Sequence, residues 1–319
     1  IPFFYFFWTS QFFLKTSTQK IKAATAIVTG SIPIVIAGFL QYFFSLNGPF
    51  KLFNGIVIWY LKPIQVNQGL SSIFSNQNYA GTWLLILWPL SLSILLIQRK
   101  SLLRKLIAIF ILIGFTLSIF LTTSRNAITG LFFIVPFIFG LKIFLIIFLI
   151  LSSLTVLLAS QNSYPAISEF LRFLLNYLPD SFLSKFSKFG FKNILAYTRI
   201  NLWLDSIALI LKKPFFGFGA SFFPIIYEFY FLEKFNNSNI QHSHNIFIEL
   251  AFNYGIIVSF LIFLFISYQI LKAYKALKNN NFKNNEEIIN KCWLASSIVA
   301  IISQTSDITY YDGRISFML

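Results

Sequence analysis

ITGLFFIVPFIFGLKIFLIIFLILSSLTVLLAS, residues 128–160, holds one charged side chain, Lys142. A helix rises 1.5 Å per residue, so the ~30 Å hydrocarbon layer of a bilayer takes about 20 apolar residues. The stretch is too long for one crossing and too apolar for water, and Gly140 beside Lys142 marks a break. It therefore reads as two membrane helices, 127–141 and 143–159.

Working outward, segments of the same kind lie at 23–44, 79–97, 106–122 and 246–271, and Cys292 to Gln304 supplies a further run. IPFFYFFWTSQFFL has neither a basic leader nor a small-residue cleavage site, so it reads as the remnant of another membrane helix. The chain starts at Ile1 and stops in the apolar ISFML, which reads as a fragment cut at both ends. The expected fold is an all-α integral membrane protein, one polytopic domain over 1–319, with about eight spans.

Composition agrees. Hydrophobic residues make up 57% and charged residues 11%, against roughly half and a quarter in a soluble domain. The net charge of +15 in such a chain marks cytoplasmic loops and anionic lipid, not nucleic acid. The single cysteine, Cys292, excludes an internal disulfide and a cysteine-rich metal site. No dinucleotide fingerprint and no phosphate-loop pattern is present.

The short loops give an orientation. Lys15, Lys20, Lys22, Arg99, Lys100, Arg104, Lys105, Lys142 and the lysines from Lys272 to Lys291 fall on one side when spans alternate. The positive-inside rule makes that side cytoplasmic. The long loop 160–245 is then extracytoplasmic.

Both histidines of the chain lie at the end of that loop, in QHSHN (241–245). Ser243 or Asn245 can cap the helix that follows. A cap does not account for His242 and His244, whereas an imidazole titrating near neutrality serves as a general base. A metal site needs a third ligand, for which Glu228 and Glu233 are available, but a lone H-x-H is a weak metal signal. The expectation is no metal. Upstream, Arg199, Trp203, Ser206 and Ile210 recur at helical spacing, and Pro214 ends that helix by Lys213. Arg199 and Trp203 suit interfacial anchors equally well. In TTSRNAITG, Arg125 either snorkels to headgroups or faces the bundle interior, where a fixed cationic fork suits phosphate oxygens.

Taken in order, FSNQNYAGTWLLILWPL, TTSRNAITG, RINLWLDSIALILKKPFFGFG and HSHNIFIELAFNYGI resemble the O-antigen ligase and O-antigen polymerase superfamily of bacterial membrane glycosyltransferases, over about residues 71–260. The shared pattern is N-x-N-x-A, then S-R at a helix end, R-x-x-x-W with a later P-x-x-G-x-G, and H-x-H-N before a closing helix. Asn126 departs from it, since members often have glycine there.

The resemblance implies a GT-C type fold and a metal-independent, inverting transferase of the inner membrane, with its site on the extracytoplasmic face and no cofactor. The implied donor is an undecaprenyl-diphosphate-linked glycan, the acceptor a glycan or a lipid core, in surface polysaccharide or lipopolysaccharide assembly. Residues matching the family's would divide the work as follows: Arg125 and Arg199 on the diphosphate, His244 on the acceptor hydroxyl, His242 tuning it, and Asn245, Asn78 and Trp203 in support. Ligase and polymerase roles stay open. So does an inorganic-carbon uptake role known for some cyanobacterial members, an origin that the DITYYDGRIS tail and the Phe-, Asn- and Ile-rich composition suggest. A flippase or transporter is disfavoured by the lack of charge in mid-span.

Overall fold

The computed structural model describes residues 2–65, 68–74, 76–97, 101–159, 198–231, 240–279 and 284–316. They form two compact units, 1–189 with 288–299, and 190–287 with 300–319.

In the first unit, helices α1 (Pro2–Phe13), α2 (Ser17–Gly30) and α3 (Ile32–Phe43) are followed by a two-stranded antiparallel hairpin, β1 (Gly48–Leu52) and β2 (Val57–Leu61). This hairpin departs from the all-α expectation. Its turn runs through Asn54 and Gly55, both at positive φ (+55° and +91°), a conformation that an Asn-Gly pair adopts readily. Four helices follow: α4 (Gln77–Ile97), α5 (Leu102–Leu121), α6 (Arg125–Phe139) and α7 (Leu141–Ala159).

Helix α4 is the centre of this unit. It is buried almost continuously from Ala80 to Ser93 and packs against α2, α5 and α6. Hydroxyls in such a position need local partners: Ser91 and Ser93 donate to the carbonyls of Trp88 and Leu90 (both 2.7 Å). Pro89 leaves the Leu85 carbonyl without its helical donor, and the neighbouring Ile86 carbonyl accepts from Ser296 Oγ (2.6 Å). Helix α5 instead exposes Leu103, Ile107, Phe110, Ile113 and Leu117, the outer stripe of a helix solvated by lipid.

Four helical stretches among the described residues are long and apolar enough to cross a membrane: Ser17–Phe43, Gln77–Ile97, Leu102–Leu121 and Ile256–Asn279. The expected crossing at 127–141 is the 15-residue α6, shorter than one full span at 1.5 Å per residue. The break between α6 and α7 falls where the sequence places it, at Gly140 with φ +88°.

The second unit carries α8 (Thr198–Ile210), α9 (Phe223–Phe231), α10 (Ile246–Tyr254), α11 (Ile256–Asn279) and α13 (Gly313–Ser316). Helix α12 (Asn284–Gln304) ends in it. Its core is Leu202, Leu209, Ile210, Phe223, Tyr227, Ala251 and Phe252. The single span expected over 246–271 is in fact α10 and α11, and the reason is Gly255. At φ +93°, and with a Cβ that would lie 2.0 Å from the Phe215 carbonyl oxygen, that position admits only glycine. The chain reverses there. Ser259 Oγ donates to the Phe247 carbonyl (2.7 Å) and the rings of Phe247 and Phe263 are 5.3 Å apart, so α10 folds back along the first turns of α11.

The P-x-x-G-x-G stretch holds this reversal. Phe218 N–H donates to the Phe252 carbonyl (2.7 Å), Gly219 N–H to Asn253 (3.0 Å), and Ile256 N–H to Pro214 (2.7 Å). The first two bonds satisfy carbonyls that the end of α10 leaves unpaired, and the third pairs the first N–H of α11 with the Pro214 carbonyl. Gly217, at φ +67°, lies so close that a Cβ would come within 2.4 Å of the Phe252 oxygen.

Candidate functional site

Asn245 is the cap of α10: its Oδ1 accepts from the N–H groups of Phe247 (3.0 Å) and Ile248 (3.3 Å). Such a cap contributes about 0.5–2 kcal/mol. Its Nδ2 reaches across to the Thr305 carbonyl (2.8 Å), so one amide ties the H-x-H-N loop to the segment that follows α12. Ser243, the other cap candidate, is fully buried and does different work. Its N–H donates to Glu249 Oε2 (2.9 Å), its hydroxyl to the Asn245 carbonyl (3.0 Å), and its carbonyl accepts from Trp203 Nε1 (2.9 Å).

These ties leave His244 in the left-handed region, at φ +56°. A non-glycine residue held there costs of order 1–3 kcal/mol and persists only when its surroundings impose it. Here they do. His244 Nδ1 pairs with Asp307 Oδ1 at 2.7 Å, and its backbone N–H donates to His242 Nδ1 (3.3 Å). With Nδ1 occupied by a carboxylate, Nε2 is the nitrogen left to act.

Asp307 is 4% exposed and is shared. Its other oxygen lies 3.6 Å from Arg199 Nη2, and Arg199 Nη1 donates to the Ser306 carbonyl. Arg199 and Trp203, one turn apart on α8, thus both point into this cluster, and the reading of them as interfacial anchors is not what the structure displays. The helix ends at Ile210, with turns through Lys213, as Pro214 requires.

Burial, and after it the neighbouring His244, push the His242 imidazole down to about 4 from 6.5, so His242 is the neutral acceptor that the His244 N–H needs and does not titrate near neutrality as expected. Its folded value lies below its unfolded one, so between pH 6.5 and 4 the unfolded chain takes up a proton that the folded one refuses. Stability contributed by neutral His242 is complete above that window and is lost as the pH falls through it. In detergent-solubilised protein, the thermal midpoint should therefore drop more between pH 7 and 4.5 for the wild type than for His242→Asn; parallel curves would show that the ring is not held neutral.

Around the histidines stand Tyr311, whose hydroxyl donates to Glu249 Oε1 (3.3 Å), and Tyr310. Burial pushes both phenols up and also raises the Glu249 carboxyl. Asp307, Glu249 and Tyr311 were absent from the sequence reading. Of the proposed third metal ligands, Glu233 lies outside the described residues, while Glu228 is exposed on α9. Among the described residues it is Asp307 that comes together with His242 and His244, one ligand atom of each lying within 4.8 Å of the others.

Arg125 and Asn78 belong to the first unit. Arg125 opens α6, exposed, just after the Ser124 cap. Asn78 N–H closes an Asx turn on Asn76 Oδ1 (2.8 Å) at the start of α4. Their motifs are packed together: a Cβ on Gly81 would meet the Cβ atoms of Ser124 and Ala127 at 2.9 Å. Gln77 Oε1, between the two asparagines, accepts from Gly69 N–H (2.5 Å) and from Thr123 Oγ1 (3.5 Å).

The chain has no match among curated proteins. The family model described as O-antigen ligase does match, over residues 70–263. That interval takes in the Asn76–Ala80 element, Ser124–Arg125, the Arg199–Trp203 helix and the H-x-H-N cap. With the apolar helices this makes the chain a bacterial membrane protein of glycan assembly, and it belongs to the O-antigen ligase family.

Proposed function

We propose that this chain transfers a glycan from a polyprenyl diphosphate to a sugar hydroxyl at the extracytoplasmic face of the inner membrane, by a single inverting displacement. The observation that carries the reading is the 2.7 Å pair between His244 Nδ1 and buried Asp307, with Arg199 beside the same carboxylate. The carboxylate fixes the imidazole so that Nε2 receives the proton of the acceptor hydroxyl. The hydroxyl oxygen bonds to the anomeric carbon, the bond from that carbon to the diphosphate oxygen breaks, and its electron pair leaves with the diphosphate. Arg199 is proposed to meet that growing negative charge, and Arg125, in the other unit, is proposed as an anion-binding residue in its own right. Arg125 is suited to this because it stands where the amino end of α6 already favours an anion.

The proposal is metal-independent. Two ligands of one tetrahedral ion at ~2.0–2.2 Å lie about 3.3 Å apart; His244 Nδ1 and Asp307 Oδ1, at 2.7 Å, are at hydrogen-bond distance instead. His242 Nδ1 is also taken up by the His244 N–H, and a guanidinium flanks the carboxylate. The test is transfer by the purified protein from an undecaprenyl-diphosphate oligosaccharide to a glycan or lipid-core acceptor in excess EDTA. Product of inverted anomeric configuration, formed at an undiminished rate, is expected. Loss of turnover in EDTA with recovery on added zinc would overturn the metal-free mechanism, and no transfer under any condition would overturn the function.

A further inference from the structure

Three rings stand in a row beside His244. His242 lies 4.3 Å from it, centroid to centroid, the Tyr311 ring is 5.6 Å from His242 and inclined by 31°, and the Tyr310 ring is 4.4 Å from Tyr311 at 30°. Tyr311 is 51% exposed, yet it is not loose. Its hydroxyl is tied to Glu249, and Glu249 holds the Ser243 N–H at 2.9 Å, so the H-x-H-N loop and the Tyr311 ring hang from one buried carboxylate. Tyr310 is tied as well, its N–H donating to Gln304 Oε1 (3.2 Å). The result is a tilted stack of rings, half-exposed at Tyr311, that meets edge-on the imidazole Asp307 orients.

A pyranose ring has one face rich in C–H groups and a rim of hydroxyls. Such a face stacks on an aromatic ring, and a pre-positioned tyrosine supplies that contact with little loss of side-chain freedom. We infer that Tyr311, backed by Tyr310 and His242, is the seat of the acceptor sugar, a pyranose lying with its C–H face on the Tyr311 ring and one rim hydroxyl turned toward His244. A half-exposed ring set among phenol, imidazole and carboxylate groups suits a sugar, which brings hydroxyls to them, better than an isoprenoid tail, which brings none. The inference rests on the proposed transfer reaction, whose acceptor it places.

Binding and turnover separate the two. Saturation-transfer NMR on the protein in detergent micelles, with methyl glycosides of glucose, galactose, mannose and rhamnose as probes, reads the seat without any reaction. At least one of these should receive saturation chiefly at the C–H protons of one face. Tyr311→Phe, which loses the Glu249 bond and keeps the ring, should bind within about twofold of wild type, and Tyr311→Ala should bind about tenfold more weakly. In the transfer assay Tyr311→Ala should raise the acceptor KM by a similar factor and change donor KM much less. Should Tyr311→Ala not fold, Tyr310→Ala and the Phe variant read the same contact. Wild-type protein that binds none of the glycosides, ring-to-alanine variants that bind as wild type, or displacement of the sugar by an isoprenoid alcohol would each overturn the seat. Sugar binding that depends on Tyr311 in a protein without transferase activity would leave the seat standing and overturn the reaction.

Discussion

His244→Ala is expected to lower the rate of glycan transfer by roughly a hundred- to ten-thousandfold, the contribution of a positioned general base. The protein should still insert into the membrane and, once solubilised, melt near the wild-type temperature. The cap of α10 is Asn245 and not His244, and Asp307 keeps Arg199 as a partner when the imidazole is gone. His242→Ala should be milder in kcat, because His242 acts on the reacting imidazole through the His244 N–H and takes no proton itself. A His244→Ala enzyme with wild-type kcat would remove the imidazole from the mechanism.

Arg199→Lys is expected to lower kcat by about a hundred- to a thousandfold, the scale seen when one donor to a developing oxyanion is removed. Charge is retained, so a simple headgroup anchor would tolerate the change. Geometry is not retained. Arg199 already reaches the Ser306 carbonyl and Asp307 from two different nitrogens, and its planar fork still has N–H groups to offer a phosphate. An ammonium group at the end of a flexible stem cannot hold all of these at once. Single-turnover transfer from the lipid diphosphate donor is the measurement, and unchanged kinetics would reduce Arg199 to a tie within the protein.

What the sequence discloses about this molecule follows from range. Apolar length announces the membrane helices, and the Lys142–Gly140 break falls where chain chemistry puts it because a charge and a positive-φ residue are local signals. Asn54-Gly55 is an equally local hairpin signal, hidden only by the expectation of helices on either side. Gly255 is harder to see, since apolar residues flank NYGII on both sides, and it is the φ of +93° with the approach of Phe215 that makes the glycine obligatory. The site divides the same way. His242, His244, Asn245, Arg199 and Trp203 sit in compact motifs. Asp307 lies 63 residues from His244, in the DITYYDGRIS stretch that the sequence offers only as a hint of origin, and no spacing rule links the two. Glu249 is hidden for another reason: in sequence it is one carboxylate in an apolar helix, and its meaning comes from Ser243 and Tyr311 closing on it.

The reversal at Gly255 turns distance along the chain into height. Helix α10 has nine residues and returns along α11, so its Phe247 end, next to the histidine loop, stands beside Phe263, about 10 Å along α11 from Ile256 at the helical rise. On the proposed reading, the level of the reacting imidazole relative to the lipid phosphates is then a count of residues in two helices, Ile246–Tyr254 and the first turns after Gly255. Helix α11 presents Phe260, Leu261, Leu264 and Phe265 outward and follows the hydrocarbon layer that surrounds it. A bilayer a few ångströms thicker or thinner shifts or tilts such a helix, and carries the histidine with it. If the proposed transfer is correct, acyl-chain length is expected to act on turnover through the level at which donor phosphate and imidazole meet.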